Sequence, residues 1–352
     1  MISGFFDIIG AHSDDRRDLF LTTATRLGAP LQNVEKDFWV TWALALLFSG
    51  RNKDEPRLLF KGGTSLSKAY GLISRFSEDI DITVFRQDIG QDIGVADLER
   101  LSGKQQRLRL EQIKLACRNF IQGDLLERLN DQAEAVFRKA GRSISEPPVF
   151  SDPDDPDGQT LLIRYPSVAT GENDYIKPTV KIEAGARSAL DPHHPVLIRP
   201  YVADDMKMAN LDVPDVTTID AECTFWDKVV ILHGLRQWYN NRGVLRQQGH
   251  RASRHYYDLH MLLRAPAGQQ AVKNRSLALD CARHAFMFFN SADLDLAHAR
   301  PGSFRIVPSS EMVDALRRDY QAMQGMIFSE VPGFDDVLET VKQLEKVINH
   351  MG

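Results

Sequence analysis

The chain has 352 residues, 43% of them hydrophobic and 26% charged, which is typical of a folded globular protein with one large domain or two ordinary ones. Its formal net charge of −5 argues against a protein that coats nucleic acid through its overall charge. Three widely separated cysteines without metal-type spacing, no basic leader and no apolar run of membrane length predict a cytoplasmic protein that does not span a membrane.

Helical and strand periodicities alternate along the first part of the chain. The Gly-Gly-Thr sequence at 62–64 predicts a turn, and the segment 151–158, with four aspartates and two prolines, predicts a loop. Predicted helices cover 13–27, 34–49, 65–72 and one or two long segments within 96–141, and predicted strands cover 57–60 and 79–85.

The later part of the chain changes from strands to helices. Alternating apolar residues predict antiparallel strands at 160–165, 175–183 and 196–201 that extend the sheet. Predicted helices follow at 220–238, 252–264, 269–288, 309–328 and 334–349. We therefore expect an α+β protein, with a mixed α/β domain over residues 1–212 and a helical domain over residues 213–352.

Residues 60–84 contain the most informative pattern, FKGGTSLSKAYGLISRFSEDIDITV. Side chains alternate between the faces of a strand, so Asp79 and Asp81 share one face and repel each other unless a cation lies between them. Mg²⁺ prefers a few carboxylates completed by phosphate oxygens, and adjacent glycines let backbone N–H groups approach a phosphate closely. The pattern therefore predicts a site for a nucleoside triphosphate and a divalent metal ion.

The same residues resemble the AbiEii/AbiGii-type toxins of the polymerase-β-like nucleotidyltransferase superfamily. Three other segments resemble motifs of that family, in the same order: VEKDFWVT at 34–41, TFWDK at 224–228 and RHYYDL at 254–259. The resemblance implies a nucleotidyltransferase domain, with a mixed sheet flanked by helices, followed by an α-helical domain.

Three carboxylates are candidate metal ligands. Asp79 and Asp81 are the expected catalytic pair, and Mg²⁺ is the expected ion, with Mn²⁺ as an alternative. Superfamily members commonly add a third carboxylate from a later strand, which here would be Glu183. An equally open alternative is that Glu183 only forms an ion pair with Lys181 or Arg187.

The resemblance also implies the groups that bind the nucleotide. Gly62, Gly63, Thr64 and Ser65 form the expected phosphate loop. Lys228 matches the lysine that contacts the triphosphate, where an ammonium would offset charge on the leaving group. Asp258 matches the last family motif, with the expected role of orienting Lys228 or Arg254 or of acting as a base.

Three residues near the metal strand are expected to be largely structural. Glu78 precedes Asp79 and would point to the opposite face, as a partner of Arg75 or Lys61. Arg75 and Ser77 could contact phosphate, but we expect them to stabilise the turn.

The segment from Lys228 to Tyr257 contains no acidic residue, although the whole chain is acidic. Basic residues interleaved with aromatic residues suit a phosphate backbone and stacked bases, while the alternative is a solvated basic loop. The basic and aromatic residues in question are Arg236, Arg242, Arg246, Arg251, Arg254, His233, His250, His255, Trp238, Tyr239, Tyr256 and Tyr257.

These observations favour an enzyme that transfers a nucleoside monophosphate from a nucleoside triphosphate to a hydroxyl group. The resemblance implies a toxin of a toxin–antitoxin or phage-defence pair, with a cognate antitoxin as partner and RNA, such as the 3′ end of tRNA, as acceptor. Two alternatives stay open: a nucleotide-binding regulatory module and a nucleotidyltransferase that modifies protein side chains.

Overall fold

A computed structural model describes residues 3–142, 145–169, 178–206, 210–246, 252–328 and 330–350. It confirms the expected α+β class, with a mixed sheet flanked by helices. The strands are β1 (Leu58–Lys61), β2 (Asp79–Val84), β3 (Val149–Ser151), β4 (Thr160–Arg164), β5 (Thr179–Gly185), β6 (His193–Ile198) and β7 (Val213–Ile219). The α-helices are α1 (Ser3–Gly10), α2 (Ser13–Leu27), α3 (Leu31–Phe48), α4 (Gly62–Lys68), α5 (Val95–Glu99), α6 (Gly103–Phe120), α7 (Leu126–Lys139), α8 (Ala221–Arg242), α9 (Ser253–Leu263), α10 (Pro266–Lys273), α11 (Arg275–Phe289), α12 (Ser310–Met323) and α13 (Phe334–His350).

The seven described strands form one sheet in the order β3-β4-β5-β2-β1-β7-β6. Strand β2 is near the middle, paired antiparallel with β1 and parallel with β5. Strand β1 also pairs parallel with β7, and the outer strands β3 and β6 pair antiparallel with their neighbours. The strand that carries Asp79 and Asp81 therefore has a neighbour on both sides.

Two features of the sheet differ from the expectation. The strand predicted at 175–183 is β5, whose described part begins at residue 179, and it runs parallel to β2, although all the later strands were expected to be antiparallel. Residues 175–177 lie outside the described residues. Strands β3 and β7 were not predicted, and β7 joins the sheet just after the expected end of the first domain at residue 212. Strand direction depends on how the chain crosses the sheet, which local patterns do not record.

Helix α3 packs across the sheet and positions the centre of the first core. It contacts β2, β5 and β7. Its buried Trp39 stacks on Tyr165, with ring centroids 5.1 Å apart, and meets Trp42 edge-on at 5.3 Å. Large aromatic rings bury much apolar area, so this helix fixes the layer behind the β2 strand.

The buried apolar residues form two large clusters. The first lies within residues 5–216 and includes Phe288. The second contains Leu66, Ile73 and buried residues between 221 and 348, most of them in helices. Helix α8 contacts α9, α10 and α11 in the second cluster and also contacts α4, the helix that begins at Gly62. No helix among the described residues combines the length and hydropathy that crossing a membrane requires.

Candidate active site

Three carboxylates lie on one face of the sheet. Asp79 and Asp81 are two residues apart on β2, so both point away from the face that carries the buried Ile80 and Ile82. In the parallel pair of β2 and β5, Asp81 lies directly beside Glu183. The structure thus places on one face the three residues that the sequence predicted as metal ligands.

Burial and a neighbouring carboxylate disfavour the negative charge of Asp81, and nearby cations partly compensate for them. Burial raises the pKa of Asp81, and the neighbouring Glu183 raises it further. Lys61, the partner of Asp81 on β1, lowers the pKa, as do Lys228 and Arg254. A divalent cation beside these carboxylates would relieve the remaining unfavourable charge.

Among the described residues, no three carboxylate, histidine or cysteine side chains lie close enough together to bind a metal ion. Glu183 is 46% exposed and lies 2.8 Å from the Lys181 ammonium, the ion pair considered above as its alternative role. Asp79 and Asp81 still fit Mg²⁺, because this ion takes most of its oxygens from water and substrate phosphates.

Gly62 and Gly63 begin α4, so the predicted glycine turn is the first turn of that helix, which was expected to start at residue 65. Neighbouring side chains require glycine at both positions. Gly62 has φ +79°, and a Cβ there would overlap the carboxylate of Asp81. A Cβ on Gly63 would come within 2.5 Å of the Arg75 guanidinium. Both residues line the same cavity as Asp81. The Asp81 carboxylate and the Arg75 guanidinium therefore pack against the two glycines.

Thr64 and Ser65 are buried and stabilise this turn from behind. The Thr64 hydroxyl donates a hydrogen bond to the carbonyl of Asp79 and lies 2.8 Å from the Ser77 hydroxyl. The Ser65 hydroxyl donates to the carbonyl of Gly62 at 2.9 Å. Neither residue lines the cavity, so their contacts position the turn and β2 relative to each other.

Asp258 connects two cations that lie far apart in the sequence. Its carboxylate accepts hydrogen bonds from Arg75 Nε at 2.7 Å and Nη2 at 2.8 Å, and it lies 2.6 Å from Lys228 Nζ. All three side chains are at least 95% buried. The structure thus places Asp258 against Lys228, one of the expected contacts, and against Arg75, which was not an expected partner of Asp258.

The charges of this network shift the pKa of each partner. Burial disfavours the Asp258 carboxylate, but Arg75 and Lys228 outweigh burial and hold its pKa well below its usual range. Burial lowers the pKa of Lys228, and Asp258 opposes that effect. A buried carboxylate with so low a pKa is a poor proton acceptor, so the geometry favours an orienting role for Asp258 over that of a base.

Three consecutive charged residues of α3 hold the segments around the site. Lys36 lies 3.4 Å from Glu78, a partner that the sequence did not predict. Asp37 lies 2.7 Å from Lys68 at the end of α4, and it also accepts a hydrogen bond from the backbone N–H of Tyr201. Burial raises the pKa of Asp37, which Lys68 opposes.

Glu35 makes the third of these contacts. Its carboxylate accepts hydrogen bonds from the Ser167 hydroxyl at 2.6 Å and from the backbone N–H groups of Val168 and Ala169 at 2.7 and 3.1 Å. Three consecutive residues of the VEKDFWVT segment therefore stabilise the loop after β4, the residue before β2 and the end of α4.

Side chains from β1, β2, β5, α8 and α9 surround a cavity of about 180 Å³. The residues that line it are Lys61, Gly62, Gly63, Arg75, Ser77, Asp79, Asp81, Glu183, Thr224, Asp227, Lys228, Ile231, Arg254 and His255. Four of the expected site residues, Asp79, Asp81, Glu183 and Lys228, thus meet the turn glycines in one place.

Asp227 and Thr224 were not predicted as site residues. The Asp227 side chain is exposed to the cavity, and desolvation by the protein around it raises its pKa to about 6. The Thr224 hydroxyl is buried and has no hydrogen-bond partner among the described residues. Counted from Thr224, the residues Asp227, Lys228 and Ile231 lie three, four and seven positions further along α8, which is the spacing of one helix face and could have indicated them.

The residues of the segment from Lys228 to Tyr257 have several different roles. Arg242 forms an ion pair with Asp293 at 2.7 Å, and Arg236 donates to the carbonyl of Val307. Tyr256, Tyr257 and His233 are fully buried, and Arg254 and His255 line the cavity. Arg251 and His250 lie outside the described residues. Much of this segment therefore supports the fold, and Arg246 and Arg254 are the arginines that border cavities in its described part.

Two strand carboxylates, a glycine turn and a buried lysine around one cavity are the arrangement of a nucleotidyltransferase. The model of the family described as nucleotidyl transferase AbiEii toxin, type IV toxin–antitoxin system, matches residues 45–340. The chain belongs to this family and is a nucleotidyltransferase toxin of the type IV toxin–antitoxin class. Membership implies a nucleoside triphosphate as substrate and an antitoxin as partner.

One solved structure that matches is that of MenT4, a nucleotidyltransferase toxin from Mycobacterium tuberculosis H37Rv. It is 15% identical in sequence, the match covers 94% of this chain and 98% of that chain, and the TM-score is 0.42. Such similarity is too low for residue roles to be transferred. No curated protein matches the chain.

Proposed function

We propose that the protein transfers a nucleoside monophosphate from a nucleoside triphosphate to an acceptor hydroxyl, in a reaction that depends on Mg²⁺ or Mn²⁺. The acceptor oxygen would attack the α-phosphorus, the bond to the β-phosphate would break, and pyrophosphate would leave with the released charge. The observation that carries this proposal is the position of Asp79 and Asp81 beside the glycine turn and Lys228, around one cavity.

The cationic side of the cavity would bind the triphosphate. Gly62 and Gly63 have no side chains to keep a phosphate away from the backbone. The Lys228 ammonium is held at 2.6 Å from Asp258, so its position is fixed before substrate binds. A fixed positive charge next to the leaving pyrophosphate stabilises the transition state without the cost of reorienting the charge during the reaction.

The acidic side would bind the metal ion. Asp79 and Asp81 would be its protein ligands, and Glu183 would join them if its ion pair with Lys181 opened. A bound divalent ion would polarise the reacting phosphate and lower the pKa of the attacking hydroxyl. The raised pKa of Asp81 supports this role, since a nearby cation would stabilise its charged form.

We propose RNA, and in particular the 3′ end of tRNA, as the acceptor. Arg254 lines the candidate site and Arg246 lines a second cavity beside it. A phosphate backbone could pair with both guanidinium groups. A hydroxyl group of a protein side chain is the second candidate. A nucleotide-binding module without transfer is less consistent with the site, because binding alone does not need two adjacent carboxylates.

The test is to incubate the protein with each labelled nucleoside triphosphate and total RNA, and to follow the label on a gel. Wild type is expected to label RNA in Mg²⁺ and not in EDTA. Asp79→Asn and Asp81→Asn should each lower transfer by roughly 100-fold or more, while the fold holds because carboxylate repulsion is relieved. Asp131→Asn, on an exposed face of α7, is the matched control and should transfer normally. Wild-type transfer by both site variants would overturn the proposal, and label in protein instead of RNA would change the acceptor.

A further inference from the structure

A second cavity, of about 310 Å³, adjoins the candidate active site. It lies between α8, α11 and the segment after β5. Lys61, Asp227 and Ile231 line both cavities, so the two spaces meet at these residues. The active-site cavity, at about 180 Å³, is smaller than the ~300–1,000 Å³ of ordinary ligand pockets. A nucleotide that reacts there would therefore need further space for its base, and the second cavity is the adjoining volume.

The lining of the second cavity is largely apolar, with a few polar groups. Helix α8 contributes Val230 and Leu235, and α11 contributes Ala285. Ser188 and Arg246 add a hydroxyl and a guanidinium at other points of the lining. An apolar pocket with a small number of hydrogen-bonding groups suits a planar heterocycle better than another triphosphate, which would need several cations.

Phe289, the last residue of α11, lines this cavity with 42% of its surface exposed. The Arg187 guanidinium lies 5.4 Å from its ring centroid, and the His284 ring lies 6.4 Å from it. His284 is stacked on Phe288 at 4.4 Å and contacts the carbonyl of Arg187 at 2.7 Å. Burial lowers the pKa of His284 to about 4, so its ring is neutral at pH 7. An exposed aromatic ring beside a neutral imidazole is a surface on which a base can stack.

We propose that the second cavity is a nucleobase subsite of the nucleotidyl-transfer site, in which a base packs between α8 and α11 and against Phe289. The proposal rests on the proposed function, because that function brings a nucleotide to Asp79 and Asp81. The base belongs either to the incoming triphosphate or to the terminal nucleotide of the acceptor strand. The chemistry is the same in both cases, and the experiment separates the two sources.

Three variants of the 352-residue chain test the subsite. Phe289→Ala removes the stacking surface, and Phe289→Trp keeps it. Ala189→Phe places a ring in the cavity from a half-buried loop position, where the added volume need not enter the core. The matched control is Leu279→Ala on the same helix, because Leu279 is also 42% exposed and does not line the cavity.

Two measurements distinguish the sources of the base. The first is the Kd of ATP, GTP, CTP and UTP in Mg²⁺, compared with that of inorganic tripolyphosphate, which has no base. The second is the KM for total tRNA in the labelled transfer reaction. If the base is that of the triphosphate, Phe289→Ala and Ala189→Phe should raise the Kd of at least one nucleotide by roughly 5- to 150-fold and leave tripolyphosphate unchanged. If it is the acceptor base, the KM for tRNA should rise by that factor and the nucleotide Kd should not.

Phe289→Trp and Leu279→Ala should stay within about twofold of wild type in both measurements, well below the loss expected from removing a stacked base. The subsite is overturned if wild type binds nucleotide and transfers label while Phe289→Ala and Ala189→Phe match Leu279→Ala in every Kd and KM. If wild type neither binds nucleotide in Mg²⁺ nor transfers it, the proposed function fails first and the subsite fails with it. The two failures are therefore distinguishable by the behaviour of wild type.

Discussion

The carboxylate of Asp258 lies 2.6 Å from the ammonium of Lys228, and both side chains are buried although they come from different helices, α9 and α8. The same carboxylate also binds the guanidinium of Arg75, which lies in the segment between α4 and β2. One negative charge therefore compensates two buried positive charges. The position of Lys228 in the site depends on this arrangement.

Asp258→Asn should destabilise the fold by about 3–5 kcal/mol, because it removes a buried negative charge that contacts two buried cations. The measurement is the free energy of unfolding from urea denaturation at pH 7.5. Asp335→Asn is the matched control, since Asp335 also contacts an arginine, Arg317, with both oxygens but has an 80% exposed side chain. That control should change stability far less than Asp258→Asn does, because water screens an exposed ion pair. Equal effects of the two variants would contradict the structural role of Asp258.

Gly62→Ala should abolish transfer and also lower stability. The added Cβ would displace the Asp81 carboxylate, and alanine is strained at φ +79°. Gly90→Ala is the control, because Gly90 has φ +72° and nothing lies within 4 Å of the added Cβ. It should show only the conformational strain, about 1–2 kcal/mol, and normal transfer. The prediction fails if Gly62→Ala keeps more than half of the wild-type rate.

Asp227→Asn should stabilise the protein at neutral pH but not at acidic pH. Although the Asp227 side chain is exposed to the cavity, desolvation by the protein around it raises its pKa to about 6, so the folded protein favours the protonated form. The wild type therefore loses stability as pH rises from about 4, near the unfolded pKa, to about 6. Above pH 6 the variant, which carries no charge, should have the higher Tm, and below pH 4 the two should coincide. The measurement is Tm against pH in EDTA, and a constant Tm difference over pH 4–8 would refute the assignment.

Glu183→Gln should raise the Mg²⁺ concentration that gives half-maximal transfer, because it removes a third carboxylate beside Asp81. Lys181→Ala should lower that concentration, since it removes the cation that pairs with Glu183 at 2.8 Å. The measurement is a Mg²⁺ titration of transfer with saturating nucleotide. If neither variant shifts the titration, Glu183 is only the partner of Lys181.

The sequence predicted those parts of the site whose residues lie close together in the chain. The glycine turn and the spacing of Asp79 and Asp81 are set within a few residues, so pattern and strand geometry predicted them directly. It also indicated the ion-pair alternative for Glu183, and that contact is present. The resemblance to the family added Lys228 and Asp258, and these two are in contact.

The residue pairs that the sequence did not predict depend on contacts between distant segments of the chain. Arg75 and Asp258 are 183 residues apart, so no local pattern could pair them. Lys36 contacts Glu78 because α3 packs across β2. The segment from Lys228 to Tyr257 illustrates the same limit. It has no acidic residue of its own, yet Arg242 is neutralised by Asp293, which lies well beyond it. Strand β7 was missed because Pro214 and Asp215 interrupt its alternation.

The three adjacent charges on α3 have a consequence for genetics. Glu35, Lys36 and Asp37 hold the segments around the site while none of them lines the cavity. In a selection for cells that survive production of the toxin without its antitoxin, escape substitutions should therefore fall on this helix as well as on the aspartates of β2. Such variants would be harmless to the cell because their glycine turn and metal strand are misaligned, even though every residue that meets the substrate is intact.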